Sequence, residues 1–167
     1  MPPKPKPKAN GNSRPKQKAW SFYPKLHDSV EALLKGDNLH FTFYPVEDGV
    51  SGCNGVNRPI NEYITNIMGR FICYNPGCAS HGWPSKTIAI TIREYHGQRY
   101  NAAVYKQRCK SCSQLGKAVL DEQSYTERVA NRLKMWHGVQ VEAPRYRVQE
   151  VQRPHETELC EGCKNPY

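Results

Sequence analysis

The stretch that decides the fold is Phe71–Cys112, FICYNPGCASHGWPSKTIAITIREYHGQRYNAAVYKQRCKSC. It opens on the pair Cys73 and Cys78 and closes on the pair Cys109 and Cys112, and the thirty residues between them alternate as the two arms of a hairpin. Lys86–Tyr95 sets Ile88, Ile90 and Ile92 against Thr87, Ala89, Thr91 and Arg93, the period of a β-strand. A turn at Gly97-Gln98 places Tyr95 opposite Tyr100 and Ile90 opposite Tyr105, bringing both cysteine pairs to one end of the sheet. Each pair sits on a short turn, and two such turns close a tetrahedral thiolate site for Zn²⁺.

A third pair, Cys160 and Cys163, returns near the end of the chain, preceded by His155. The simplest arrangement joins Cys73, Cys78, Cys109 and Cys112 around one ion. Cys160, Cys163 and His155 then hold a second, with His81 or Cys53 as fourth ligand. The rival arrangement joins the first and third pairs. Spacing does not choose between them, so the expected cofactor is one or two Zn²⁺. A disulfide framework fits poorly, because seven cysteines is an odd number and neither a signal peptide nor a long apolar run points to an oxidising compartment or a bilayer. The expected location is the cytoplasm, with the nucleus as alternative.

At 167 residues with 38% hydrophobic content, the core is modest, and a structural metal would contribute on the order of 10 kcal/mol to so small a fold. The net charge is +9, and two thirds of it lies in residues 1–18, where Lys4, Lys6, Lys8, Arg14, Lys16 and Lys18 are accompanied by no acid. Alternating Pro and Lys there favours an extended, disordered, cationic arm suited to threading among phosphates. On the hairpin, Arg93, Tyr95, Tyr100, Lys106 and Arg108 are expected on one exposed face, where aromatic rings stack on bases and cations pair with phosphates.

Elsewhere, Asp28 or Ser29 is expected to cap a short helix through Val30, Leu33 and Leu34 to Gly36, and Leu39–Tyr44 reads as an edge strand. Ile64–Tyr74 reads as the strand into the first cysteine pair. Ser124-Tyr-Thr-Glu127 has the form of a capping box ahead of the helical stripe Tyr125, Val129, Leu133 and Trp136.

The segments GRFICYNPGC, GWPSKTIAI, YNAAVYKQRCKSC, DEQSYTERVANRLKMW and PHETELCEGCK resemble, in order, the 3CxxC-type zinc-finger family, which includes fungal proteins and the vertebrate receptor-transporting proteins. The resemblance spans Gly69 to Lys164. It implies a zinc-binding domain with ligands from the three pairs and His155. The first pair departs from the family pattern, being C-x4-C rather than C-x2-C. The chain also lacks the further cysteine and the C-terminal membrane anchor of some relatives.

Together these readings describe an α+β protein: a small zinc-ribbon-like antiparallel sheet with a central hairpin, one to two helices and a disordered basic N-terminal tail. The expected domains are the tail (1–18), an N-terminal helix and strand extension packed on the core (19–68) and the zinc-binding domain (69–167). The expected function is non-enzymatic, because a cysteine-rich ligand set leaves no open metal position for catalysis. The expected partner is structured RNA, ribosomal RNA foremost, with no membrane span. The alternatives are a protein-interaction adaptor or chaperone-like trafficking factor, and a nuclear DNA-associated zinc finger.

Overall fold

The computed structural model describes residues 18–46, 58–141 and 159–164. Six strands form one sheet in the order β1-β5-β4-β3-β6: β1 (Trp20–Ser21), β3 (Asn61–Ile72), β4 (Gly82–Tyr95), β5 (Arg99–Tyr105) and β6 (Lys117–Leu120), with β2 (Thr42–Phe43) set parallel against β5. The other pairings are antiparallel. Helices α1 (His27–Lys35) and α2 (Glu122–Trp136) lie against the same face, and α3 (Glu161–Lys164) is a single turn. No helix of the described residues is long and apolar enough to cross a membrane.

The core is built from that shared face. Ile88, Ile90 and Ile92 of β4, with Tyr100, Ala102 and Val104 of β5, meet Val30 and Leu34 of α1 and Tyr125, Val129, Ala130 and Leu133 of α2. The stripe expected on α2 is therefore core, with Trp136 at its partly buried end. Strand β3 runs continuously through residue 68, so the sheet is shared between the N-terminal extension and the zinc-binding segment.

Four local readings change. The β4–β5 loop is His96-Gly97-Gln98, with Gly97 and Gln98 in the left-handed region, and it pairs Tyr95 with Arg99 and Glu94 with Tyr100. That is one residue away from the expected register, and a one-residue slip sends side chains to the opposite face. The cap of α2 is Asp121, whose carboxylate accepts from Ser124 N at 2.8 Å. The Ser124 hydroxyl instead accepts from Met68 N at 3.0 Å, where β3 shifts register against β4. Helix α1 begins at His27 behind a 3-10 turn, Pro24–Leu26, and has no side-chain cap. The edge strand expected over Leu39–Tyr44 shrinks to Thr42–Phe43.

Candidate metal centre

Long strands β3 and β4 carry the first cysteine pair beyond the end of the sheet core, and the chain leaving β5 brings the second pair to meet it. The first knuckle closes through Cys78 N donating to Asn75 O at 3.0 Å, while Gly77 N donates to Asn75 Oδ1 at 3.1 Å. The extra two residues of the C-x4-C spacing are absorbed in this Asx-type turn. In the second knuckle Ser113 N donates to Cys109 O at 2.7 Å and Cys109 N to Gln114 O at 2.8 Å, with Ser113 in the left-handed region. The knuckles are held against each other by close packing: a Cβ on Gly116 would come within 2.7 Å of the Trp83 ring and 3.0 Å of Phe71 Cβ.

Gln107 locks the approach to the second pair. It is buried, its Oε1 accepts from the Trp83 indole at 3.2 Å, and its Nε2 donates to Ser85 Oγ at 3.0 Å and Thr87 O at 3.3 Å. Three partners on β4 thus fix the strand that leads directly to Cys109.

The result is four sulfurs, from Cys73, Cys78, Cys109 and Cys112, all within 4.8 Å of one another. Cys73 Sγ and Cys112 Sγ are 3.6 Å apart, and Cys78 Sγ and Cys109 Sγ 3.8 Å. A Zn–S bond of about 2.3 Å in a tetrahedron puts its sulfurs about 3.8 Å apart, so the donor set fits Zn²⁺ in both chemistry and spacing. Four thiolates complete the tetrahedron, as in a structural site.

The thiols are not equivalent. Burial pushes Cys109 up, but donation from the backbone N–H groups of Cys112 and Ser111 outweighs it and holds the thiol down at about 6. Cys112 is also lowered, chiefly by the Gln114 backbone N–H and then by Asn75. Cys73 goes the other way. The Asn75 backbone N–H favours its thiolate, yet burial and the three neighbouring sulfurs push it up to about 12. The Ser80 backbone N–H and the Cys73 sulfur favour the Cys78 thiolate, but burial together with Cys109 and Cys112 raises it. The second knuckle therefore offers thiolates readily, and the first must give up protons to the metal.

Of the two arrangements that spacing left open, the structure brings the first and second pairs together. Cys160 is buried but outside the four-sulfur group. It forms a β-bridge with Gln107, beside Arg108 N donating to Leu159 O at 2.9 Å. Cys163 lies on α3. His155, Cys53 and the arm residues Lys4, Lys6, Lys8, Arg14 and Lys16 lie outside the described residues. His81 is exposed and is not among the grouped ligands. Lys18 sits 5.4 Å over the Trp20 ring.

The exposed basic and aromatic face expected on the hairpin is not there. Tyr95 and Tyr100 are 1% and 0% exposed and lie on opposite faces, a consequence of the shifted register. Tyr100 accepts or donates at 3.0 Å with His27 Nδ1 beneath α1, and Tyr95 packs edge-on against Tyr44. Arg93 pairs with Glu62 and Arg108 with Glu161, each at 2.7 Å. Sequence reasoning overlooked Gln107, which has no period or motif to mark it, and Tyr74, a 66% exposed ring between two ligands.

No curated protein and no solved structure matches this chain. A family profile described as a zinc-binding domain of the 3CxxC zinc-ribbon type matches residues 66–166, more than half of the sequence and the whole span of the four-sulfur site. With the sheet, the paired knuckles and the four-thiolate geometry in place, the chain belongs to the 3CxxC zinc-binding domain family.

Proposed function

We infer that the protein is a non-enzymatic, zinc-stabilised RNA-binding protein of the cytoplasm, acting on structured RNA such as that of the ribosome. The observation that carries this reading is the charge of the sheet and its two knuckles. From Asn61 to Leu120, the segment that builds β3 to β6 and both knuckles, there are eight Lys and Arg and two acids, Glu62 and Glu94. Glu94 is 2% exposed and engaged by Asn61 and His137. Four thiolates with one Zn²⁺ carry a net charge of −2, which the eight cations exceed several-fold.

Lys18 meets the fold at the zinc end. Trp20 pairs with Tyr105, and Lys106 N donates to Ala19 O at 2.8 Å, so the chain read backwards toward Lys18 runs alongside Lys106–Arg108 in the direction of Cys109. Lys18, Lys106, Arg108 and Lys110 therefore lie along the approach to the second knuckle, the kind of cationic footprint a nucleic-acid binder carries. The four-thiolate set supports a structural role for the metal, with no ligand position left for substrate.

The test is RNA affinity as a function of salt for the full chain and for a chain lacking residues 1–18. Six cations correspond to a log–log slope of roughly four on single-stranded RNA, and the deletion should remove much of it. Sedimentation of lysate on a sucrose gradient at low salt should carry the full chain into ribosomal fractions. Equal, salt-insensitive binding by both chains, with all protein at the top of the gradient, would overturn the reading.

A further inference from the structure

Tyr74 stands between the ligands Cys73 and Cys78, on the loop that Asn75 closes through Cys78 N and Gly77 N. A ring of this size would ordinarily be tucked against the sheet, yet it is 66% exposed, the most exposed large hydrophobic side chain among the described residues. Its position is not loose. The zinc ligands on either side and the Asx turn behind it hold the backbone, so the ring is displayed at little conformational cost.

A cation lies beside it. Lys117 Nζ lies 5.9 Å from the Tyr74 ring centroid. On the sheet, Phe71, Trp83 and Ala118 stand in one row, with Phe71 buried and stacked on Trp83. By the two-residue alternation of strands, Arg70, Ile72, Pro84 and Lys117 point to the opposite, outer face. There Ile72 is directly opposite Lys117, and Arg70 directly opposite Val119, which makes Arg70 and Lys117 diagonal neighbours about 7–8 Å apart. Both are exposed, and neither has an ion-pair partner among the described residues. No acid lies on β3 after Glu62, on β4 before Glu94 or on β6.

We propose that Tyr74, with Arg70 and Lys117, is a base-stacking site for an unpaired nucleotide: the ring takes the base and the two cations take the flanking phosphates. An exposed aromatic ring beside cations matches the two requirements of single-stranded nucleic acid, a π-face and neutralised phosphates. Duplex RNA offers no free base face, so the site selects the loops and bulges of a structured RNA. The inference rests on the RNA-binding reading above and names the feature of the RNA that the globular part recognises. The arm supplies salt-dependent attraction to any phosphate backbone, whereas Tyr74 supplies a contribution that salt leaves in place.

The experiment is fluorescence anisotropy of the zinc-loaded full chain with a labelled oligoadenylate of about 12 nucleotides, and with a blunt RNA duplex of similar length. Tyr74→Ala should weaken oligoadenylate binding roughly tenfold, the loss expected for one stacked base, without altering the salt slope or the duplex affinity. Tyr74→Phe should bind as the parent does. Arg70→Glu with Lys117→Glu should weaken binding and lower the slope by at least about 1.4. Because the ring is exposed, zinc content and thermal stability should be unchanged in Tyr74→Ala. If Tyr74→Ala and the parent bind oligoadenylate equally, the stacking site is wrong while the RNA-binding reading stands; if the parent binds neither RNA, both fall.

Discussion

Arg108 donates from Nε to Glu161 Oε1 at 2.7 Å, tying the segment that carries Cys160 to the strand that enters the second knuckle. The same guanidinium reaches Ser113 O at 2.9 Å through Nη1, so one side chain spans the knuckle and the docked C-terminal turn. With Arg108 36% exposed and Glu161 11%, solvent screens the pair from one side, and it contributes about 1 kcal/mol by itself. The docking depends more on shape.

Gly162 is where that shape is tested. A Cβ there would lie 2.6 Å from Ala89 Cβ and 3.3 Å from Tyr105 Cγ, the root of a short side chain and the root of a ring, neither of which can swing aside. Gly162→Val should lift residues 159–164 from the sheet and expose Cys160. Alkylation of the zinc-loaded protein by iodoacetamide, read residue by residue by mass spectrometry, should be at least roughly tenfold faster at Cys160 than in the parent. Equal rates would mean that the turn is not held by this contact.

The grouping of ligands makes a second prediction. Cys109→Ser or Cys112→Ser should lose the zinc held by the four thiolates and with it a large part of a stabilisation on the order of 10 kcal/mol. Cys160→Ser should keep it. Replacing zinc with cobalt gives the direct readout, since a tetrahedral four-sulfur site has a distinct absorption spectrum. That spectrum should persist in Cys160→Ser and vanish in the other two.

Zinc binding should be strongly pH-dependent, with affinity falling as pH falls. Cys73, raised to about 12, and Cys78, also raised, hold protons at neutral pH that the metal must displace. The bound sulfurs carry no proton, so metal and proton compete, and the stability that zinc confers is present at higher pH and lost on acidification. At least two displaced protons correspond to at least about a hundredfold in apparent affinity per pH unit near neutrality. Below about pH 6 the Cys109 thiolate is protonated as well and the fall steepens. Competition with a chromophoric chelator across pH 5.5 to 8.5, roughly the range in which these thiols exchange protons for metal, measures the slope; a flat profile would contradict the assignment.

Gln107→Leu preserves the size of the side chain but orphans the Trp83 indole N–H and the polar groups of Ser85 and Thr87 that face it. The cost should be about 3 kcal/mol, read as a lower midpoint in urea unfolding of the zinc-loaded protein. Gln107→Glu keeps the acceptor for Trp83 and loses both donations from Nε2, so it should fall between the two. Full stability in Gln107→Leu would show that the knuckle is held by metal and packing alone.

Much of this protein follows from local chemistry in the sequence. Three cysteine pairs on turn-forming residues, the first two joined by strand-forming sequence, point to a thiolate metal site, because two such turns close one tetrahedron. The α2 stripe of Tyr125, Val129 and Leu133 marks a buried helix face whatever it packs against. Alternation over Ile88–Ile92 marks a strand for the same reason.

Other features were decided only by the tertiary structure. The hairpin register turned on one residue of loop length, and alternation could not resolve it, since β4 is buried on both faces from Ile88 to Ile92. That one residue determines that Tyr95 and Tyr100 are core and not surface. The cap of α2 was contested by two residues of suitable chemistry, Asp121 and Ser124; Ser124 was claimed by Met68 N from 56 residues away. The sequence likewise held two equally spaced partners for the first cysteine pair. Only the sheet, by delivering Cys109 and Cys112 to the end of β3 while docking Cys160 beside Gln107, selects one of them, because ligation depends on distance in space and not along the chain.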